Sequence, residues 1–352
     1  MTDEPLGSHV LELQVAEVIA ETEDSRSLVF MVPDGADIPA DRLNYSPGQF
    51  LTLRVPSDRT GSVARCYSLC SSPFTDDALT VTVKRTAEGY ASNWLCDHAH
   101  PGMKIHVLAP SGTFVPKALD DDFLLIAGGS GITPMMAICK SVLSQGSGQV
   151  TLIYANRDEK SVIFATALRD LAAKYPDRFS VVHWLETVQG LPSAAALARL
   201  AAPHTDRQVF ICGPGPFMAG AREALESLGV PAGQVHIEVF KSLESDPFKA
   251  VVIEDDDSDE PPATAVVTLD GQTHEVSWPR NAKLLDVLLD KGLDAPFSCR
   301  EGHCGACAVL MKTGEVDMEI NDVLEQSDLD EGLILGCQAR PKSDSVEVTY
   351  DE

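Results

Sequence analysis

One stretch near the end of the sequence constrains this chain more than any other. It reads Cys299-Arg-Glu-Gly-His-Cys304-Gly-Ala-Cys307, and a fourth cysteine, Cys337, follows in Gly332-Leu-Ile-Leu-Gly-Cys337. The spacing is C-x4-C-x2-C with a distant fourth Cys, the plant-type pattern for a [2Fe–2S] cluster. Three thiolates on one tight loop can wrap two irons, and the fourth closes the cage from a neighbouring segment. Backbone N–H groups must reach the sulfurs, so small residues are needed, and Gly302, Gly305 and Ala306 supply them. Four thiolates also suit zinc, but structural zinc sites pair C-x2-C with a second close pair, and Cys337 stands alone. His303 is expected to face solvent, because the four cysteines complete the set. The expected metal ligands are therefore Cys299, Cys304, Cys307 and Cys337, and the rest of the chain should feed a one-electron centre.

The 352 residues leave room for about two to three domains, and 44% of them are apolar, enough for real cores. A formal net charge of −26 argues against nucleic-acid binding. From residue 250 onward there are 24 Asp and Glu against 7 Lys and Arg, a solubilising surface that also suits a basic docking partner. The opening Met1-Thr-Asp-Glu-Pro-Leu is acidic and polar, unlike a targeting peptide, and no run of about 18 apolar residues offers a membrane span. No nucleic-acid or membrane partner is expected. Cys66, Cys70, Cys96, Cys139 and Cys212 fall in apolar patterns and read as reduced thiols, so the expected location is cytoplasmic.

Residues 10–115 read as short strands (Val10–Val18, Ser27–Val32, Leu51–Val55, Leu79–Val83, Lys104–Leu108) punctuated by Pro and Gly, which predicts a small antiparallel barrel. Two stretches there carry chemistry. In Arg65-Cys-Tyr67-Ser68 the Arg can pair with a phosphate, the aromatic can pack on a flat ring, and the hydroxyl can bond a ring edge. In Gly89-Tyr-Ala-Ser92-Asn93 a Gly turn leads into a short helix whose first N–H groups suit a phosphate. From about Asp120 strands and helices alternate, the pattern of a doubly wound parallel α/β sheet. The strand Phe123–Ala127 leads into Gly128-Gly129-Ser-Gly131-Ile-Thr133-Pro134, a strand–turn–helix phosphate loop in which Thr133 is the expected N-cap. A later strand, Val209–Cys212, ends in Cys212-Gly213-Pro-Gly-Pro, at the carboxyl end where such sheets bind ligands. In Tyr154–Ser161, Arg157 and Ser161 can hold a ribose 2′-phosphate, whereas Asp158 and Glu159 oppose one. The balance favours NADH, with NADPH possible.

Residues 246–262 carry a run of acids with prolines and read as a tether that spans roughly 20–25 Å as flexible coil. Beyond it, Thr264–Leu269, an Asp270-Gly271 turn and Thr273–Val276 predict a hairpin, Ala282–Lys291 a helix and Val346–Tyr350 a last strand. The expected units are 8–117, 118–245, the acidic linker 246–262, and 263–352.

Taken in order, these motifs resemble the ferredoxin–NADP reductase family followed by a plant-type ferredoxin. The resemblance implies a multidomain fold with an antiparallel β-barrel for flavin, a doubly wound α/β unit for the nucleotide and an α+β, β-grasp-like ferredoxin unit. It implies that Arg65, Tyr67 and Ser68 grip FAD rather than FMN, with Ser68 on flavin N5, and that Gly89 and Ser92 receive the pyrophosphate. Gly128, Gly129, Gly131, Thr133, Arg157 and Gly213 would meet the nicotinamide nucleotide, with Cys212 beside its reactive carbon. His236-Ile-Glu238-Val-Phe240 is similar to the Glu-Val-Tyr ending of plant members, which implies a flavin-covering Phe240 and a proton- or nicotinamide-handling Glu238. Ser68, Cys212 and Glu238 are thus the expected catalytic residues.

The order of units is similar to that of reductases serving multicomponent oxygenases. The stretches Arg65–Pro73, Ala109–Phe114 and His236–Pro247 most resemble the reductase components of 3-ketosteroid 9α-hydroxylases. That implies hydride transfer from NAD(P)H to FAD, then single electrons through the [2Fe–2S] cluster to a terminal, Rieske-type oxygenase in steroid degradation. No steroid site is expected on this chain. Alternatives are a reductase for another oxygenase, such as phenylacetyl-CoA epoxidase, or a redox sensor without turnover.

Overall fold

The computed structural model describes residues 6, 7, 9–251, 253, 260–324 and 326–351. Six antiparallel strands form the first sheet: β1 (Leu11–Thr22), β2 (Ser25–Met31), β3 (Phe50–Ser57), β4 (Gly61–Ser68), β5 (Thr80–Lys84) and, after helix α1 (Tyr90–His98), β6 (Lys104–Val107). Their order is β4-β3-β6-β1-β2-β5. Alternation drives the curl: Leu11, Leu13 and Val15 of β1 are buried while their neighbours are half-buried. The two edges meet where Leu69 bridges Val81 and the Cys70 N–H donates to the Thr80 carbonyl (2.9 Å), closing the barrel. β4, which carries Arg65–Ser68, adds to the strands expected from alternation. It was hard to read because polar residues fall on both of its faces.

The second sheet is parallel. Its elements are β7 (Phe123–Gly128), α2 (Ile132–Gln145), β8 (Val150–Asn156), α3 (Ala165–Lys174), β9 (Phe179–Leu185), α4 (Glu186–Gln189), α5 (Ala194–Ala201), β10 (Gln208–Cys212), α6 (Gly215–Ser227) and β11 (Val235–Glu238). The strand order is β11-β10-β7-β8-β9. Every residue of β7 and β8 is buried, as expected of strands covered by helices on both faces. The winding reverses between β7 and β10, so the carboxyl ends of these two strands flank the crevice in which such sheets hold ligands. The expected N-cap at Thr133 is corrected. A turn of 3-10 helix over Gly129–Gly131 runs straight into α2, which starts at Ile132. Thr133 lies inside the first turn, and its hydroxyl donates to the Ser130 carbonyl (3.0 Å).

The last unit contains β12 (Ala263–Leu269), β13 (Gln272–Trp278), α7 (Leu284–Asp290), β14 (Ala308–Thr313), β15 (Val316–Met318), α8 (Gln326–Asp330), β16 (Leu333–Leu335), β17 (Ala339–Pro341) and β18 (Ser345–Thr349). The main sheet has the order β13-β12-β18-β14-β16, and β15 pairs with β17. Asp270 (φ 52°) and Gly271 (φ 71°) form the two-residue turn of the expected hairpin, both with the positive φ that such a turn demands. Trp278, fully buried beneath α7, donates its indole N–H to the Ala282 carbonyl (2.9 Å).

The cluster unit packs against the barrel. Ala64 and Leu108 of the barrel share one apolar core with Ala265, Trp278, Leu285 and Val348. Thr52 and Ser298 hydroxyls bond across the joint (2.6 Å), Arg42 pairs with Asp294, and His9 meets the Phe297 ring edge-on (centroids 4.5 Å apart). Near the start of the sequence, Leu6 bridges Lys249 and the Gly7 N–H donates to the Phe248 carbonyl (3.0 Å). Phe248, which the sequence places at the start of the tether, is fully buried in that core. The acidic run 254–259 lies outside the described residues. Among the described residues no helix is long and apolar enough to cross a membrane.

Candidate functional site

The cysteine loop precedes β14. Arg300, Gly302 and Gly305 adopt positive φ (59°, 77° and 69°), which winds the chain tightly enough to turn successive cysteines to one side. Cys299 shifts the titration of Cys304 and Cys337, and Cys307 that of Cys337, so the four thiols lie close enough to act on one another. Cys299 Sγ accepts from the Glu301 and His303 N–H groups (3.3 and 3.4 Å), and Cys307 Sγ from the Cys337 N–H (3.4 Å). Backbone donors aimed at sulfur suit thiolates that carry the charge of a cluster. Among the described residues no three His, Cys, Asp or Glu side chains form a single-ion cage. The donor set fits a [2Fe–2S] centre. His303 is not the solvent-facing residue expected: its ring is half-buried, with Nδ1 2.8 Å from Asp322 Oδ2 but off the line of a hydrogen bond. The loop lies close to the barrel, where a Cβ on Gly305 would come within 2.9 Å of Thr113 Cγ2.

A cleft of about 540 Å³ separates the barrel from the parallel sheet. Arg65, Tyr67 and Ser68 line it from β4, and Gly89 and Ser92 from the start of α1. No side chain caps α1, so its first N–H groups remain available for a phosphate. The Ser92 hydroxyl oxygen accepts from the Thr86 N–H (3.1 Å) and shapes the turn. Gly128, Gly129, Thr133 and Gly213 form the facing wall. Gly131 is behind it, and a Cβ there would lie 2.1 Å from the Cys212 carbonyl oxygen, so only glycine lets α2 approach the end of β10. The residues fit an elongated dinucleotide with a flat ring at the β4 end.

Parallel register places Cys212 beside Glu238. Cys212 itself is 0% exposed, and its neighbour Gly213 reaches the cleft in its place. The expected catalytic thiol is therefore not brought to the cleft wall, because the start of α2 covers it. Burial, and then the charge of Glu238, raise its pKa well above that of an ordinary thiol. Glu238 Oε2 accepts from the Ser68 hydroxyl (3.1 Å), so two of the expected catalytic residues do meet. Burial pushes the Glu238 carboxyl up to about 8, and the Ser68 bond pulls the other way. The carboxyl thus keeps its proton at neutral pH.

Phe240, 47% exposed, and Lys241 line this cleft and also a second groove of about 230 Å³, whose far wall is Cys299, His303 and Cys304. Cys66 and Ser68 line both as well. The ring-binding end of the cleft and the cluster loop are therefore separated by a single layer of side chains.

Arg157 lies farther along, in a pocket of about 460 Å³ with Gly128, Asn156, Trp184 and Glu186. It pairs with Asp158 (3.2 Å). Ser161, expected as a possible phosphate holder, is corrected: it is buried, and its hydroxyl is locked in a capping box with Asp158.

Comparisons with known proteins agree with this geometry. Residues 12–115 match an oxidoreductase FAD-binding domain, 125–223 an oxidoreductase NAD-binding domain, and 267–342 a 2Fe-2S iron-sulfur cluster binding domain. The 3-ketosteroid-9-alpha-monooxygenase ferredoxin reductase component of Mycolicibacterium smegmatis is 80% identical over 100% of both chains. The chain belongs to this reductase family. A component of the 1,2-phenylacetyl-CoA epoxidase of Escherichia coli is 34% identical over 96% of this chain and 97% of its own. The solved structure of phthalate dioxygenase reductase, described as modular for electron transfer from pyridine nucleotides to [2Fe-2S], covers 97% of this chain and 98% of its own at 25% identity, with a TM-score of 0.56.

This chain is accordingly an oxidoreductase with FAD-, NAD- and [2Fe–2S]-binding units, the reductase component of a monooxygenase, carrying electrons from NAD(P)H to FAD to the cluster. Sequence reading missed Lys241, Glu186 and Asp322 and gave no role to Lys84, which all line these cavities. For Lys84 a signal existed, since β5 ends in Lys84 just before the phosphate-type turn. The others become neighbours of the site only through the tertiary fold.

Proposed function

We propose that the chain draws electrons from NADH and delivers them to a Rieske-type terminal oxygenase acting on 3-ketosteroids. The observation that carries this is the wall of Phe240 and Lys241, shared by the dinucleotide cleft and the cluster groove. Identity of 80% to a 3-ketosteroid monooxygenase reductase, against 34% to an epoxidase component, supports the steroid system over the epoxidase. Two-electron chemistry at bound FAD, with a [2Fe–2S] cluster as one-electron acceptor, is what the cofactors supply.

The residues do the rest. Arg65 and Lys84 place positive charge in the cleft, and the open first turn of α1 offers N–H groups to the pyrophosphate. Tyr67 packs on the flat ring, and Ser68 presents its hydroxyl at the ring edge. Glu238 holds a proton on its carboxyl next to Ser68 and thus offers a donor where hydride is exchanged. Phe240 covers the ring and keeps water out. Gly129, Gly131, Thr133 and Gly213 shape the nicotinamide pocket. Glu186, beside Arg157, supplies the carboxylate that favours a free ribose 2′-hydroxyl, which supports NADH over NADPH. Cys299, Cys304, Cys307 and Cys337 ligate the cluster. The strand grouping supports units at 8–117, 118–245 and 263–352. The unpaired thiols suit a cytoplasmic setting.

Anaerobic titration with NADH and then NADPH, followed by visible absorbance and electron paramagnetic resonance, tests this. Flavin bleaching and a reduced-cluster signal with NADH at lower concentration than NADPH are expected. Flavin bleaching that never produces the cluster signal would sink the relay. Catalytic reduction of cytochrome c distinguishes a reductase from a sensor, and reconstitution with a purified steroid oxygenase tests the partner.

A further inference from the structure

We propose that Glu301 is a positioning residue for electron transfer, anchoring the cluster loop to the segment that leaves the flavin cleft. The inference rests on the relay described above and adds the element that fixes its geometry. The segment runs from Glu238 to Phe248. At its start Glu238 is bonded to Ser68, and Phe240 and Lys241 stand between the cleft and the cluster groove. Leu243 is then buried, and its carbonyl accepts from Arg65 Nη1 (3.0 Å). In the next two residues the Glu244 N–H, the Ser245 N–H and the Ser245 hydroxyl all converge on one carboxylate oxygen, Glu301 Oε1, at 2.9, 2.6 and 2.6 Å. Asp246 follows with a bond from the Ser62 hydroxyl (2.9 Å), and Phe248 ends the segment in the core.

Glu301 lies two residues after the ligand Cys299, and its own N–H donates to the Cys299 sulfur (3.3 Å). Its backbone therefore holds a cluster ligand while its side chain grips the segment. Three donors on one carboxylate oxygen make a charge-assisted contact, and the two backbone donors cannot rotate away. These bonds are exposed, as is the nearby Lys241–Asp322 pair (2.5 Å), but they hold two fixed backbone N–H groups, whereas that pair joins two rotatable side chains and holds little. Arg65 and Glu301 thus take hold of adjacent residues, Leu243 and Glu244–Ser245, from opposite directions. One is a flavin-gripping residue, and the other belongs to the cluster loop. The distance between the two redox groups is set across a stretch of three residues.

Stopped-flow mixing of the oxidised holoprotein with NADH separates flavin bleaching from cluster reduction. Glu301→Ala is expected to bleach like the unaltered protein but to reduce its cluster roughly tenfold more slowly or worse, as misplacement of reacting groups by about 1 Å would cause. Glu301→Gln, whose amide oxygen accepts the same N–H bonds, should recover most of the rate. Electron paramagnetic resonance of dithionite-reduced samples verifies an unaltered cluster. Should Glu301→Ala fail to assemble one, Ser245→Pro carries the test, since it deletes an N–H and a hydroxyl from the segment and leaves the ligand loop untouched. An unslowed cluster in a cluster-loaded variant overturns the anchor alone. Absence of flavin bleaching in the unaltered protein overturns the relay and the anchor together.

Discussion

Glu238 is a carboxylic acid in a place where a carboxylate is expensive, and its proton has a measurable consequence. The unfolded chain releases that proton near 4.5 and the folded chain near 8. Between those values the folded state binds the extra proton. The contribution to stability is therefore full below about 4.5, is lost as pH rises toward 8, and is level above it. Thermal unfolding of the holoprotein between pH 5 and 8.5 should show a falling midpoint that Glu238→Gln flattens; parallel curves for the two proteins would refute the assignment. Gly131 makes a steric prediction of the same kind. Gly131→Ala drives a methyl into the Cys212 carbonyl and should cost about 1–3 kcal/mol and weaken NADH binding, whereas Gly220→Ala, with open space around its Cβ and away from the cleft wall, should cost no stability and leave NADH binding unchanged. Denaturant midpoints and NADH titrations of the two variants would decide. At this scale the sequence was readable where chemistry and spacing coincide. Cys299 and Cys304 line the cluster groove, and Arg65, Tyr67 and Ser68 share a cleft with Gly128 and Gly129 of the turn after β7. Cys212 and His303 were misjudged because their exposure depends on residues distant in sequence, whereas Thr133 and Ser161 turn on local details, the 3-10 turn before α2 and the capping box with Asp158.

Trp278 lies under α7 with no exposed surface, at the end of the hairpin that starts the cluster unit. Trp278→Ala should cost about 3–5 kcal/mol there. Guanidinium unfolding should then lose the cluster absorbance at lower denaturant than before. A loss below about 1 kcal/mol would mean that the hairpin and α7 hold without it. Strong periodicity made several elements legible: β1, β7, β10 and the β12–β13 hairpin lie within a few residues of their expected limits. β4 was missed as a strand, and the pairing of β10 with β11 was invisible. The strand order that puts Cys212 beside Glu238 is a property of the crossovers and not of either strand.

Across the whole molecule the net charge of −26 sets the field in which partners approach. Raising ionic strength from about 0.01 to 0.5 M shrinks the Debye length from roughly 30 Å to a few ångströms. Steady-state reduction of basic cytochrome c should therefore slow with salt, while reduction of the anionic acceptor ferricyanide should quicken. Equal slopes for both acceptors would show that the field does not govern encounter. The contact of Leu6, Gly7 and His9 with residues far along the chain matters in another way. Leu6, Gly7 and His9 find their partners in Lys249, Phe248, Pro247 and Phe297. A ribosome makes the former first and the latter more than two hundred residues later. Leu6, Gly7 and His9 therefore stay without these partners until synthesis has passed Phe297, and a bulky insertion among them would sit at the joint between the barrel and the cluster unit.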